Sequence, residues 1–160
     1  MKRHSHIIFL LFTFQLLLFA SCTQLDVFEK NTPIPDYNWK SGFAATGSFT
    51  IKDTASTYNI SLVLRHNDAY KYNNIWLNIG LQYPGDSMRY RKFELQLATD
   101  ASGWEGSGMN DIWEVRKPLE LLKFKKQGNY IFNITQIMRD NPLQHVMSAG
   151  LRVQKVKLAE

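Results

Sequence analysis

The sequence predicts an all-β protein, an antiparallel β-sandwich (jelly-roll-like) of about seven or eight strands. Three observations lead there. Apolar residues recur at every second position through much of the chain. Clusters of Gly, Pro, Asn and Asp fall between those stretches, and no segment keeps a helical period for more than a turn or so. A period of two marks a strand with one face buried, and the clusters mark where the chain reverses.

Taken from the N-terminus, the first element is a leader. Lys2 and Arg3 make a short basic start, and Ile7 to Ala20 is apolar except for Thr13 and Gln15. As a helix that run would be roughly 21 Å long, short of the ~30 Å hydrocarbon core. A signal peptide over residues 1–21 follows, rather than a membrane span. Phe19-Ala20-Ser21-Cys22 then resembles a bacterial lipobox, in which the cysteine receives lipid and becomes the new N-terminus. Phe19 departs from the aliphatic residue usual at its position. Cys22 is the one cysteine of the chain, so no internal disulfide competes for its thiol. Residues 22–40 are polar, hold Pro33 and Pro35, and read as a lipidated N-terminus and extended tether. Residues 41–160 read as a single sandwich domain.

Within that domain the strands follow in order. Tyr58, Ile60, Leu62 and Leu64 alternate with Asn59, Ser61, Val63 and Arg65. Ile75, Leu77, Ile79 and Leu81 alternate with Trp76, Asn78, Gly80 and Gln82, and Phe93, Leu95 and Leu97 with Lys92, Glu94 and Gln96. Tyr130, Phe132 and Ile134 form a fourth set. Leu151 and Val153 form a fifth, whose phase slips at Lys155 as at a bulge. Shorter strands are expected at Gly47–Ile51 and Leu119–Phe124, and a helical turn over Thr135–Leu143, stopped by Pro142. Turns are signalled at Asn67-Asp68, Pro84-Gly85-Asp86, Ser102-Gly103, Gly106-Ser107-Gly108 and Gln127-Gly128-Asn129.

The formal net charge is +5, but processing before Cys22 removes Lys2 and Arg3, leaving 17 basic against 14 acidic residues, or +3. The remaining cations are scattered, which gives no nucleic-acid footprint. Lys123, Lys125 and Lys126 are the densest group and are expected to coat a solvated strand edge.

Candidate chemistry is sparse. His66 and Asp68 follow a strand, but His145 is the one other histidine past the leader, so a hydrogen-bonded strand end explains them better than a metal site. Asp100, Glu105 and Asp111 lie in the glycine-rich segment Asp100–Glu114, where two carboxylates at fixed separation would suit glycoside hydrolysis. Turns and an edge strand account for that segment more simply. No Gly-x-Ser-x-Gly elbow is present, and lipidation would occupy the one thiol. Neither catalytic residues, nor a metal, nor a cofactor beyond the covalent lipid is expected. Trp76 is the residue of most interest. It lies opposite the apolar face of its strand with Asn74 and Asn78 beside it, and could meet a partner protein or stack a sugar. Tyr72 and Trp104 complete the candidate interaction surface.

Several of these stretches together resemble the GldH family of gliding-motility lipoproteins from Bacteroidetes. They are the lipobox, Trp39 after Pro-Asp-Tyr, Arg65-His66 followed by Tyr70, Tyr72, Asn74 and Trp76, and Gly103-Trp104-Glu105-Gly106-Ser107-Gly108 with Asp111-Ile112. Phe124, Gly128, Tyr130 and Phe132, then Gln136-Ile137-Met138-Arg139, Asn141-Pro142-Leu143 and Gly150-Leu151-Arg152-Val153 continue the match through nearly the whole chain. The resemblance implies a cell-envelope lipoprotein, on the periplasmic side of the outer membrane, serving gliding and the linked type IX secretion machinery. It implies envelope proteins as partners and no enzymatic activity. A module binding peptidoglycan or a surface glycan is the alternative.

Overall fold

A computed structural model describes residues 27–156. The signal peptide and Cys22 lie outside them. The strands are β1 (Val27–Pro33), β2 (Asn38–Trp39), β3 (Ala45–Ile51), β4 (Tyr58–Asn67), β5 (Asn74–Gln82), β6 (Met88–Gln96) and β7 (Ala98–Thr99). They continue with β8 (Gly103–Trp104), β9 (Ser107–Met109), β10 (Ile112–Leu122), β11 (Gly128–Gln136), β12 (Leu143–Gln144) and β13 (Val146–Lys155).

One sheet has the order β1-β13-β4-β10-β9 and the other β3-β11-β5-β6, antiparallel throughout, with two short ribbons, β12-β2 and β7-β8. The pairings nest. β5 and β6 form a central hairpin, β4 pairs with β10 outside it, β3 with β11 outside that, and β1 with β13 outermost. Successive pairs fall in alternate sheets, so the chain is one long antiparallel hairpin rolled up as a jelly roll. The two inner faces share a core that includes Leu62, Leu64, Ile75, Leu77, Phe132 and Ile134, all buried. Phe28 of β1 bridges the sheets, 5.6 Å from Phe49 of β3, which stacks at 5.5 Å on its register partner Tyr130 in the same sheet.

Several expectations need correction. From Val27 onward the expected tether belongs to the fold: β1 pairs along β13 from Val27↔Gln154 to Pro33↔Ser148, and Trp39 is fully buried. The Trp39 indole donates to the Phe43 carbonyl at 2.9 Å, which satisfies its one polar atom in the core. The bulge of β13 falls between Val146 and Ser148 rather than at Lys155, which stays in register with Tyr58. The strand expected at 119–124 begins at Ile112, and its register shifts after Pro118, a residue that cannot donate to a ladder. No helix forms over 135–143. Instead β11 runs to Gln136, whose buried amide donates to the carbonyls of Trp39 and Asp140, both at 3.2 Å. Lys123, Lys125 and Lys126 lie in the connection between β10 and β11, not on a strand edge.

The outer face of the five-stranded sheet is covered by its own side chains. Arg65 pairs with Glu114, Glu114 with Arg116 at 2.8 Å, Arg116 with Glu29 at 3.4 Å, and Glu29 with Arg152 at 2.9 Å. Arg116 starts on β10 and meets Glu29 on β1, so the pair spans β4 and β13. Beneath this roof Val63 and Ser61 are buried although they face away from the core. The aliphatic stems of such side chains cover apolar surface while the charges stay wet. Burial opposes the charge of Glu29, but the Arg152 hydrogen bond and the Arg116 charge outweigh it and hold the carboxyl below its ordinary value.

Candidate interaction surface

The outer face of the four-stranded sheet has no such roof. Register places Trp76 opposite Glu94, Asn78 opposite Lys92, and Gly80 opposite Tyr90. On the β11 side Asn133 faces Gly80 and Thr135 faces Asn78, while β3 contributes Thr46, Ser48 and Thr50. Alternation along each strand therefore lays out a platform of amides and hydroxyls, interrupted by Ile131 and bordered by Glu94 and Lys92 of β6. Trp76 stands in it 41% exposed and Tyr90 53% exposed. Asn74 donates to Glu94 at 2.6 Å beside the tryptophan. The carbonyl of Trp76 accepts from Ile137 N–H at 3.0 Å, so the half-exposed Ile137 sits at the same end of the platform. Tyr90 and Ile137 enlarge the surface around Trp76. Tyr90 is among the aromatics that the sequence places near Trp76, whereas Ile137 reaches the surface through pairing beyond the end of β11, which no local pattern contains.

Of the five residues expected to form the surface, only Asn74, Trp76 and Asn78 share this face. Tyr72 and Trp104 belong to an aromatic cluster at one end of the sandwich. Trp104 lies 4.6 Å from the His66 ring, His66 5.5 Å from Tyr70, and Tyr70 6.0 Å from Tyr72. His66 is fully buried, its Nδ1 is 2.8 Å from the Asn67 carbonyl, and burial lowers its pKa. Burial raises the pKa of the Tyr70 hydroxyl, helped by the neighbouring Tyr72 and Asp140. Tyr72 donates to Asp140 at 2.7 Å, and that hydrogen bond, with Lys71 nearby, holds the Asp140 carboxyl below its ordinary value. Beside the cluster is an open cleft of about 650 Å³, lined among others by Lys71, Tyr72, Arg139, Asp140 and His145.

The carboxylates considered for hydrolysis have separate places. Asp100 is exposed in the β7–β8 turn, Glu105 pairs with Lys117, and the Asp111 carbonyl accepts from Asp68 N–H at 2.9 Å. Among the described residues no three His, Cys, Asp or Glu side chains gather as a metal site would require.

Comparison with known proteins agrees with the sequence resemblance. The chain is 27% identical over 147 residues to gliding motility lipoprotein GldH of Flavobacterium johnsoniae, covering 87% of this chain and 91% of that one. It is 25% identical over 153 residues to a GldH homologue of Christiangramia forsetii, covering 91% and 93%. Among solved structures, the infectious bursal disease virus VP2 subviral particle matches with a TM-score of 0.36 and 15% identity. That match spans 82% of this chain and 34% of the viral one, a likeness too slight to speak for fold or function. The model of the GldH lipoprotein family matches residues 26–153, nearly the whole of the described fold, and the chain belongs to that family.

Proposed function

We propose that this protein is a non-enzymatic envelope lipoprotein, held by lipid on Cys22 to the periplasmic side of the outer membrane. There it docks proteins of the gliding and secretion apparatus. The family name supports the motility context. The observation that carries the docking role is Trp76, a large aromatic left 41% exposed near one end of an open sheet face, whereas Val63 and Ser61 on the other face are covered. A membrane anchor would raise the local concentration of that face around membrane-bound partners.

The test is cross-linking in living cells with the wild type, Cys22→Ala and Trp76→Ala. The expected result is recovery of motility or secretion proteins by the wild type, lost with Cys22→Ala and reduced with Trp76→Ala. Unchanged recovery from all three would overturn the reading.

A second reading rests on the amides flanking Trp76. An indole between Asn74 and Asn78, with Tyr90 about 14 Å away by strand geometry, would suit a glycan laid along the sheet. Retention of the wild type on peptidoglycan, abolished by Trp76→Ala, would move this reading ahead.

A further inference from the structure

The two ends of the sandwich differ in charge, and the chain leaves the fold toward Cys22 from only one of them. Val27 pairs with Gln154, Lys155 with Tyr58, Tyr58 with Leu122, and Gly128 with Ile51. Loops 52–57, 83–87 and 123–127 therefore all lie at the end where β1 begins. Among the described residues, those loops with Lys155 at the end of β13 carry Lys52, Lys123, Lys125, Lys126 and Lys155 against Asp53 and Asp86, a net +3. The opposite end, loops 34–44, 67–73, 97–111 and 137–145, carries six carboxylates against three Lys and Arg, a net −3. Asp53 pairs with Lys155 at 2.7 Å and Asp86 with Lys126 at 3.7 Å. Lys52, Lys123 and Lys125 are exposed and form no ion pair among the described residues. Leu121, 66% exposed, is next to this group at the foot of β10.

We infer that this basic end is the membrane-facing surface of the protein, resting on anionic lipid headgroups. The inference rests on lipidation of Cys22. Only Thr23 to Asp26 separate that residue from Val27, and a fully extended chain over that interval reaches at most about 18 Å. The sandwich is roughly 30 Å tall along β13, so the far end stands well beyond the reach of the leash. A short leash alone would still allow the domain to lie on its side. The charge separation selects the upright orientation, drawing the lysines to the surface and pushing the acidic end away. Lipid and basic patch are then two signals acting at one place, which is what durable membrane binding takes.

The experiment uses the purified lipidated protein in vesicles of phosphatidylcholine, with or without phosphatidylglycerol. A fluorophore is placed at Ser87→Cys on the basic end or at Ser102→Cys on the far end, and quenching by a headgroup nitroxide lipid is measured. Quenching is expected to be strong at position 87 and weak at 102 in anionic vesicles. The contrast should shrink in neutral vesicles, in high salt, and in the Lys52→Glu/Lys123→Glu/Lys125→Glu variant. Equal quenching at both sites, or a contrast indifferent to lipid charge and to the lysines, would overturn the inference. A maleimide-reactive Cys22 in protein that fails to float with vesicles would remove the anchor itself, and is distinguishable on that ground. Independently of lipidation, the Cys22→Ala chain should bind anionic vesicles weakly, and the triple variant should lower that binding by roughly tenfold or more. Binding unchanged by the triple variant would count against the patch even with the anchor intact.

Discussion

On the outer face of the five-stranded sheet, Arg65, Arg116 and Arg152 surround the buried Val63 and Ser61, tied by Glu114 and Glu29, and Asn31 folds over Gly150. On the outer face of the four-stranded sheet, Trp76 and Tyr90 stand exposed among short amides and hydroxyls, with Glu94 and Lys92 along the β6 edge. Both faces belong to antiparallel sheets with the same core behind them, and neither is apolar in composition. The difference is side-chain length and pairing. Long side chains of opposite charge in register can lie flat and bond to one another, whereas Asn, Ser and Thr are too short to cover a neighbour. The first arrangement closes a face, and the second leaves one available to a partner.

The same substitution on the two faces would break or confirm this contrast. Gly150→Ala should be the most damaging change, about 3 kcal/mol in urea denaturation. The added methyl collides with the Lys30 carbonyl and the Asn31 side chain folded over it, and backbone cannot swing aside. Next comes Glu29→Gln, expected to cost about 1 kcal/mol at neutral pH because the carboxylate is partly exposed. Its pH dependence is the sharper readout. Glu29 is held below its ordinary value of 4.5, so its contribution is complete above that pH and is lost as pH falls through the lower folded-state value. Denaturation midpoints of the wild type should drop across that acid window more steeply than those of Glu29→Gln.

Trp76→Ala should change stability by about 0.5 kcal/mol or less while lowering partner recovery, since a half-exposed side chain on an open face carries little of the fold. Gly80→Ala should be nearly silent in thermal melts. The new methyl would meet Tyr90 Cε1 at 2.7 Å and Met88 Sδ at 2.9 Å, but both are ends of side chains that can turn into solvent. A large loss at Gly80 or a silent Gly150→Ala would mean that the two faces are not built as described.

The strands legible in the sequence are those with an unbroken apolar set on one side. In Tyr58–Leu64, Ile75–Leu81 and Tyr130–Ile134 the inward apolar set is unbroken and Asn59, Ser61, Asn78, Gly80 and Asn133 alternate with it, so the period of two shows despite Val63, Trp76 and Ile131 on the outward side. β1 and the first half of β10 were hidden by the roof itself. In Phe28-Glu29-Lys30-Asn31 and Trp113-Glu114-Val115-Arg116 the outward residues carry charge, and too few apolar inward partners remain to show a period. Trp39 reads with the tether because Pro33, Pro35 and Asp36 put turn chemistry just before it, yet the short β2-β12 ribbon carries it into the core. For the candidate surface, the opposite phase of Trp76 to Ile75 and Leu77 was enough to place it outward. That Trp104 packs on His66 depends on pairing between distant segments, which no local pattern contains.

The nested pairing of the strands also bears on when the fold can form. β1, the first described strand, finds its only sheet partner in β13, the last, and β13 lies between β1 and β4. A chain arriving N-terminus first therefore holds Phe28 and the edge of β4 unpaired until residues 146–155 are present. Contacts so distant in sequence make folding slow relative to helical domains of the same size. The five-stranded sheet is thus closed by its latest-arriving strand, and until then the exposed edges are substrates for proteases and chaperones.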